Sequence, residues 1–168
     1  ETDAEVGRVV AAARAEPHGD NTIVIYIMGD NGASGEGGFE GSDHNLAEFF
    51  MGTPPDDIKA RMSRIDDLGS RIYDNHFATG WAWGLDSPFQ WMKQVASHLG
   101  GSRNPMVVSW PAHINDKGGL RSQFTHAVDI APTLYDIIGI HSPEAVNGAK
   151  QMSFDGDRFA STLADATA

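Results

Sequence analysis

Cysteine is absent from the 168 residues, which excludes disulfides, thiolate metal sites and a cysteine nucleophile within this chain. It leaves the compartment open, because secreted proteins also do without disulfides. Basic residues are few: 12 Lys and Arg stand against 23 Asp and Glu, a net charge of −11. Such a surface repels phosphate backbones and argues against nucleic-acid binding through a basic face. Long apolar runs are missing too. The longest, residues 23–28, is too short to cross a bilayer. There is no internal repeat and no long linker. Nothing reads as a signal peptide, but the chain opens on Glu1 rather than Met, so the expectation is that residue 1 is not a true start.

What is present reads as an α/β unit. From Ala4 to Arg14 the apolar positions Val6, Val9, Val10 and Ala13 fall on one helical face. Glu16-Pro17-His18-Gly19-Asp20 stops that helix. Thr22-Ile23-Val24-Ile25-Tyr26-Ile27-Met28 follows, β-branched and aromatic and apolar on both faces, the pattern of a buried strand in a parallel sheet. Five glycines lie among the next ten residues, 29–38. A second helical stripe runs through Ile58, Met62, Ile65, Leu68 and Ile72, and residues 73–86 are irregular and aromatic. Ser87-Pro88-Phe89-Gln90 predicts a helix start whose buried face is Phe89, Met92, Val95 or Ala96, and Leu99, closed by Gly100-Gly101. Residues 105–110 predict another buried strand. Asp129 caps a last helix with Ile130, Leu134, Ile137 and Ile138 inward and Gly139 at its end.

Two features carry chemistry. Asp30-Asn31 stands at the C-terminal end of an apolar strand, the edge where open α/β sheets bind ligands. A carboxylate and an amide carbonyl suit a hard cation such as Ca²⁺, less so Mg²⁺. The same Asp-Asn-Gly is equally a turn by composition, and two ligands hold no metal alone. Lys93, between core positions Phe89, Met92 and Ala96, can meet an anion as a compact charge, or snorkel as an ordinary lysine. The seven histidines show no regular ligand spacing. Trp81, Trp83 and Trp91 pack a core or wall a substrate.

The residues carrying these features also resemble a known family. Asn21-Thr22-Ile23-Val24-Ile25-Tyr26-Ile27-Met28-Gly29-Asp30-Asn31-Gly32-Ala33-Ser34 resembles the late metal-binding strand of type I sulfatases. Lys93 with Gly100-Gly101-Ser102-Arg103-Asn104-Pro105 resembles the family's lysine followed by Gly-Gly-x-Arg-x-Pro. Val128-Asp129-Ile130-Ala131-Pro132-Thr133-Leu134 resembles its Asp-Ile-x-Pro-Thr helix, and Phe154-Asp155-Gly156 the short segment that follows. The four blocks stand in family order across roughly residues 20–160. The stretch from Trp81 to Pro105 is closest to the bacterial arylsulfatases.

The resemblance implies an alkaline-phosphatase-like α/β sandwich with a mainly parallel central sheet flanked by helices. It implies Asp30 and Asn31 as calcium ligands, Lys93 as the sulfate contact, and a formylglycine nucleophile. Arg103 is expected to be structural, and His76 with the Trp81–Trp83 group to contact the leaving group. Neither cysteine nor Ser-x-Pro-x-Arg occurs in the chain, so residues 1–168 are expected to be the C-terminal half of a sulfatase catalytic domain, inactive alone. The implied function is release of inorganic sulfate from an aryl or carbohydrate sulfate ester, small molecule or glycan, in a periplasmic or secreted setting. A phosphodiesterase or phosphonate hydrolase of the same superfamily, or a non-catalytic remnant binding an anion or glycan, are the alternatives.

Overall fold

The computed structural model describes residues 2–29 and 31–168; Asp30, one of the expected calcium ligands, lies outside the described residues. Helix α1 spans Thr2–Ala15 and strand β1 Val24–Ile27. Helix α2 follows at Ile58–Met62 and α3 at Thr79–Leu85, then strand β2 at Met106–Ser109. Helix α4 occupies Ile130–Ile138, a hairpin of β3 (Ala145–Val146) and β4 (Ala149–Lys150) comes next, and α5 (Ala160–Ala164) ends the order. β1 pairs with β2, and β3 with β4 in antiparallel register. A wider, mainly parallel sheet is not among the described elements. Parallel strands need covering helices on both faces, and here Ile27 of β1 is 38% and Val107 of β2 57% exposed.

The chain divides into two units, Glu1–Ile25 with Val107–Ala168, and Tyr26–Met106. In the first, α1 has Asp3 and Glu5 in its first turn and Arg14 in its last, the arrangement that complements the helix dipole. Val6, Val10 and Ala13 are half-buried, whereas Val9 is exposed. Arg14 donates to the Thr22 carbonyl (2.6 Å) and to Ser109 Oγ (2.8 Å), so one guanidinium ties the helix to the segments flanking both strands. α4 ends as expected on Gly139, left-handed at φ 69°. Its buried positions are Pro132 and Thr133 rather than Ile138. Thr133 Oγ1 donates to the Asp129 carbonyl (2.7 Å) and accepts the Phe159 N–H (3.0 Å). Asp129 accepts the N–H groups of His126 (2.7 Å) and Asp157 (2.9 Å). The two late sequence blocks thus lock each other.

In the second unit, two expected helices come out differently. The stripe 58–72 forms only α2 and a 3₁₀ turn at Ile65–Asp67. Asp57 caps α2 by accepting the Ala60 N–H (2.9 Å). Ile58, Met62 and Ile65 point outward, at least half exposed, while the Arg61 and Arg64 side chains are only 11% and 20% exposed. These guanidiniums reach the buried Asp43, and that ion cluster decides which way the helix faces. The helix expected over residues 87–99 does not form. Trp91 and Gln94 sit at φ 66° and 75°, a left-handed conformation that no helix continues through, and Leu99–Gly101 is a 3₁₀ turn. The ordered turn here is α3 instead, within the stretch read as irregular.

Candidate functional site

The site is built within the unit Tyr26–Met106. β1 delivers the glycine-rich loop that begins at Gly29, and four partner residues fix it. The Gly32 N–H donates to Asn104 Oδ1 (2.7 Å). The Ala33 N–H lies 3.1 and 3.2 Å from the two Asp86 carboxylate oxygens, and Asp86 is the C-cap of α3. The Lys93 N–H donates to the Ala33 carbonyl (3.0 Å). Thr79 Oγ1 donates to the Gly35 (3.0 Å) and Gly38 (2.9 Å) carbonyls. Glycine is required where the segments touch: a Cβ at Gly32, itself at φ 82°, would overlap the Gly100 carbonyl oxygen, and one at Gly35 would crowd the Met92 sulfur. Met92, 8% exposed, is the apolar anchor that places its neighbour Lys93.

Lys93 therefore meets the loop that follows β1. Its Nζ is 3.3 Å from Glu36 Oε1 and donates to Oε2 at 3.4 Å. Gln94 Nε2 donates to Glu36 Oε1 (2.7 Å). Neither Glu36 nor Gln94 stood out in the sequence, because the partners are 57 and 58 positions apart and no local pattern links them. Asn31 is exposed at the head of the loop. Among the described residues no group of three or more His, Cys, Asp or Glu is placed to hold a metal ion. The amide of Asn31 has the right chemistry for a hard cation, but a calcium shell needs six to eight oxygens, so the described residues do not themselves make that site.

The segment that carries Lys93 also carries part of a row of aromatic rings. Trp83 and Trp91 have centroids 5.5 Å apart, and Trp91 and His98 5.8 Å. Trp81, on the same short helix, is 69% exposed and outside this row. The Arg103 guanidinium lies over the Phe89 ring, 5.0 Å from its centroid. His76 lies against the far part of the same loop, its carbonyl oxygen 3.0 Å from the Cβ positions at Gly37 and Gly41. Its backbone exchanges two 2.8 Å hydrogen bonds with Ser42, and its Nδ1 is 3.1 Å from the Phe77 carbonyl. None of its hydrogen bonds involves the Lys93 segment.

Around Asp43 lies a second charged group. Arg64 Nε donates to its Oδ2 (2.6 Å), Arg64 also pairs with Asp56 (2.6 Å), and Arg61 stands 3.5 Å from Asp43 and 3.7 Å from Glu48. Burial pushes the Asp43 carboxyl up, but hydrogen bonds from Arg64 and with Glu48 outweigh it and hold it below the ordinary value. Burial and the Asp43 carboxylate push Glu48 above its ordinary value.

The described elements, helices with short strand pairs, define a mixed α and β protein in which Lys93 is docked on the glycine-rich loop after β1. The comparisons make this specific. A family model for sulfatases matches residues 1–140, and the chain belongs to the sulfatase family, sulfuric ester hydrolases of alkaline-phosphatase-like α/β fold. It is similar to the arylsulfatase of Klebsiella aerogenes, 24% identical over 138 residues, covering 82% of this chain and 27% of that enzyme. The chain thus spans about a quarter of the relative's length.

Proposed function

We propose that the chain supplies part of the active site of an arylsulfatase-like enzyme, with Lys93 as the group that holds a sulfate oxygen. The observation carrying this reading is the docking of Lys93 on the loop after β1 through its own backbone bond to Ala33. That bond fixes the backbone from which the side chain extends over the loop. In the transition state of sulfate-ester cleavage, negative charge on the sulfuryl and leaving oxygens is met by fixed positive charge, which is where a lysine acts. Trp83 and Trp91 form the wall against which an aryl or glycan leaving group rests, with His76 a more distant candidate. Asp30 and Asn31 contribute two oxygens to a calcium shell that other residues complete. The divalent metal and the formylglycine that this family generally uses would supply Lewis-acid and nucleophilic chemistry.

The test uses the protein expressed from its complete reading frame. Lys93→Ala lowers kcat/KM for an aryl sulfate by about a hundredfold, the scale for removing one stabilising group. Asp30→Ala and Asn31→Ala raise the calcium concentration needed for activity. An unchanged kcat/KM in Lys93→Ala rejects the assignment. Faster cleavage of a phosphodiester than of the matched sulfate ester redirects it to the related hydrolases. The 168 residues alone, with neither cysteine nor Ser-x-Pro-x-Arg, release no sulfate; turnover by them would overturn this part of the reading.

A further inference from the structure

We propose that Glu36 is the resting counter-ion of Lys93, a positioning residue that an incoming oxyanion must displace and that thereby sets the site's affinity for sulfate. The inference rests on the reading of Lys93 as the sulfate-holding group. Among the described residues Glu36 is the one carboxylate within ion-pair distance of the Lys93 ammonium, at 3.3 Å. Both side chains are largely shielded, 27% and 19% exposed, so water screens the pair less than a surface one. Glu36 is no mobile surface group that drifted onto a lysine. Gln94 grips its Oε1 at 2.7 Å, its N–H donates to Ser34 Oγ at 3.3 Å, and its loop is held at Gly32, Ala33, Gly35 and Gly38.

Two anions on one ammonium repel each other, and that repulsion offsets a large part of the attraction the second one feels, so a bound oxyanion competes with the carboxylate. A sulfate oxygen on Lys93 Nζ therefore exchanges with the Glu36 carboxylate. The displaced carboxylate has open space beside it: Glu36 lines a hollow of about 360 Å³ that Ser42 and Asn45 share with the carboxyls of Glu40 and Glu48. Until that exchange, Glu36 keeps the ammonium extended over the loop rather than collapsed against it. The price is weaker sulfate binding, and with it less inhibition by the product.

The experiment measures inhibition by inorganic sulfate, and KM against kcat for an aryl sulfate, on the protein from its complete reading frame. Glu36→Gln keeps the oxygen that Gln94 grips and removes the charge. Its Ki for sulfate falls about tenfold, the size of one charge-assisted bond, and KM falls in parallel while kcat does not rise. Gln94→Ala loosens the same carboxylate and moves Ki in the same direction by less, which keeps the test alive if Glu36→Gln folds poorly. A Ki that is unchanged or raised in both variants overturns the proposal, since a structural role alone would do no more than that. Lys93→Ala separates the two readings. If it leaves sulfate inhibition intact, the Lys93 assignment fails. If it abolishes inhibition while Glu36→Gln shows no tightening, only the counter-ion inference fails.

Discussion

At the scale of single residues, the site depends on places where no side chain fits. Gly32 combines a left-handed φ of 82° with a Cβ position that overlaps the Gly100 carbonyl and lies 3.0 Å from the Lys93 nitrogen. Gly32→Ala must therefore push the loop and the lysine segment apart, adding steric overlap to a backbone penalty of about 1 kcal/mol. The bond from the Lys93 N–H to Ala33 is the first casualty. We expect faster hydrogen exchange at the Lys93 amide and a kcat/KM lowered at least tenfold, whereas Gly38→Ala, with nothing near its Cβ, has the backbone penalty alone. Equal effects of the two substitutions would show that contact with the lysine segment is not what matters. At this scale the sequence was half legible. Asn31 and Lys93 stand out in the sequence by their places after a strand and before Gly-Gly, whereas Glu36 and Gln94 do not, since an ion pair closed across 57 positions leaves no periodic trace.

At the scale of elements, charge overrides apolar pattern. The stripe Ile58, Met62, Ile65 would ordinarily turn inward, yet the inward groups of α2 and its following turn are Arg61 and Arg64, drawn to Asp43 at 4% exposure. Removing one partner of a buried ion cluster leaves the others uncompensated, at a cost of about 3 kcal/mol. Asp43→Asn should therefore release α2, read as loss of exchange protection at the Arg61 and Ser63 amides. The pH dependence follows from the two carboxyls. Asp43 is held below its ordinary value, so its contribution is present at neutral pH and is lost as pH falls below about 4. Glu48 is held above its own, so its charged form opposes folding at neutral pH, and protonating it on mild acidification offsets part of that. Protection of α2 thus rises slightly from pH 7 towards 5 and then falls, and in Asp43→Asn the acid fall disappears. Parallel profiles in the two proteins would exclude Asp43 as the source. α1, β1, β2 and α4 were legible because their signals are local: dipole charges, β-branched runs and a terminal Gly139. The helix expected at 87–99 was not legible as something else, because the bonds that unwind it, from Gly100 to Gln90 and from Lys93 to Ala33, are set by tertiary contact.

At the scale of the molecule, buried apolar side chains are few for so many residues. Buried hydrophobics among the described residues are Ala82 and Met92 in one unit and Phe159 and Leu163 in the other, while Phe39 is 97%, Phe124 91% and Leu120 90% exposed. Conformational entropy of about 1–2 kcal/mol per residue has to be matched mainly by apolar burial, and cores of this size do not match it. The chain spans about a quarter of its arylsulfatase relative; under the proposal that it is part of a larger catalytic domain, the outward stripe of α2 and the half-exposed faces of β1 and β2 are surfaces that further chain would cover. The 168 residues alone are thus expected to bind a hydrophobic dye and to absorb heat over a broad range, with a calorimetric enthalpy well above the van't Hoff value. The protein from its complete reading frame should melt in a sharper transition without the dye signal. A narrow two-state transition of the 168 residues, free of dye binding, would mean that these faces are stable in water as they stand. Their exposure would then belong to the working protein, and the site around Lys93 and Glu36 would not need covering chain to hold its geometry.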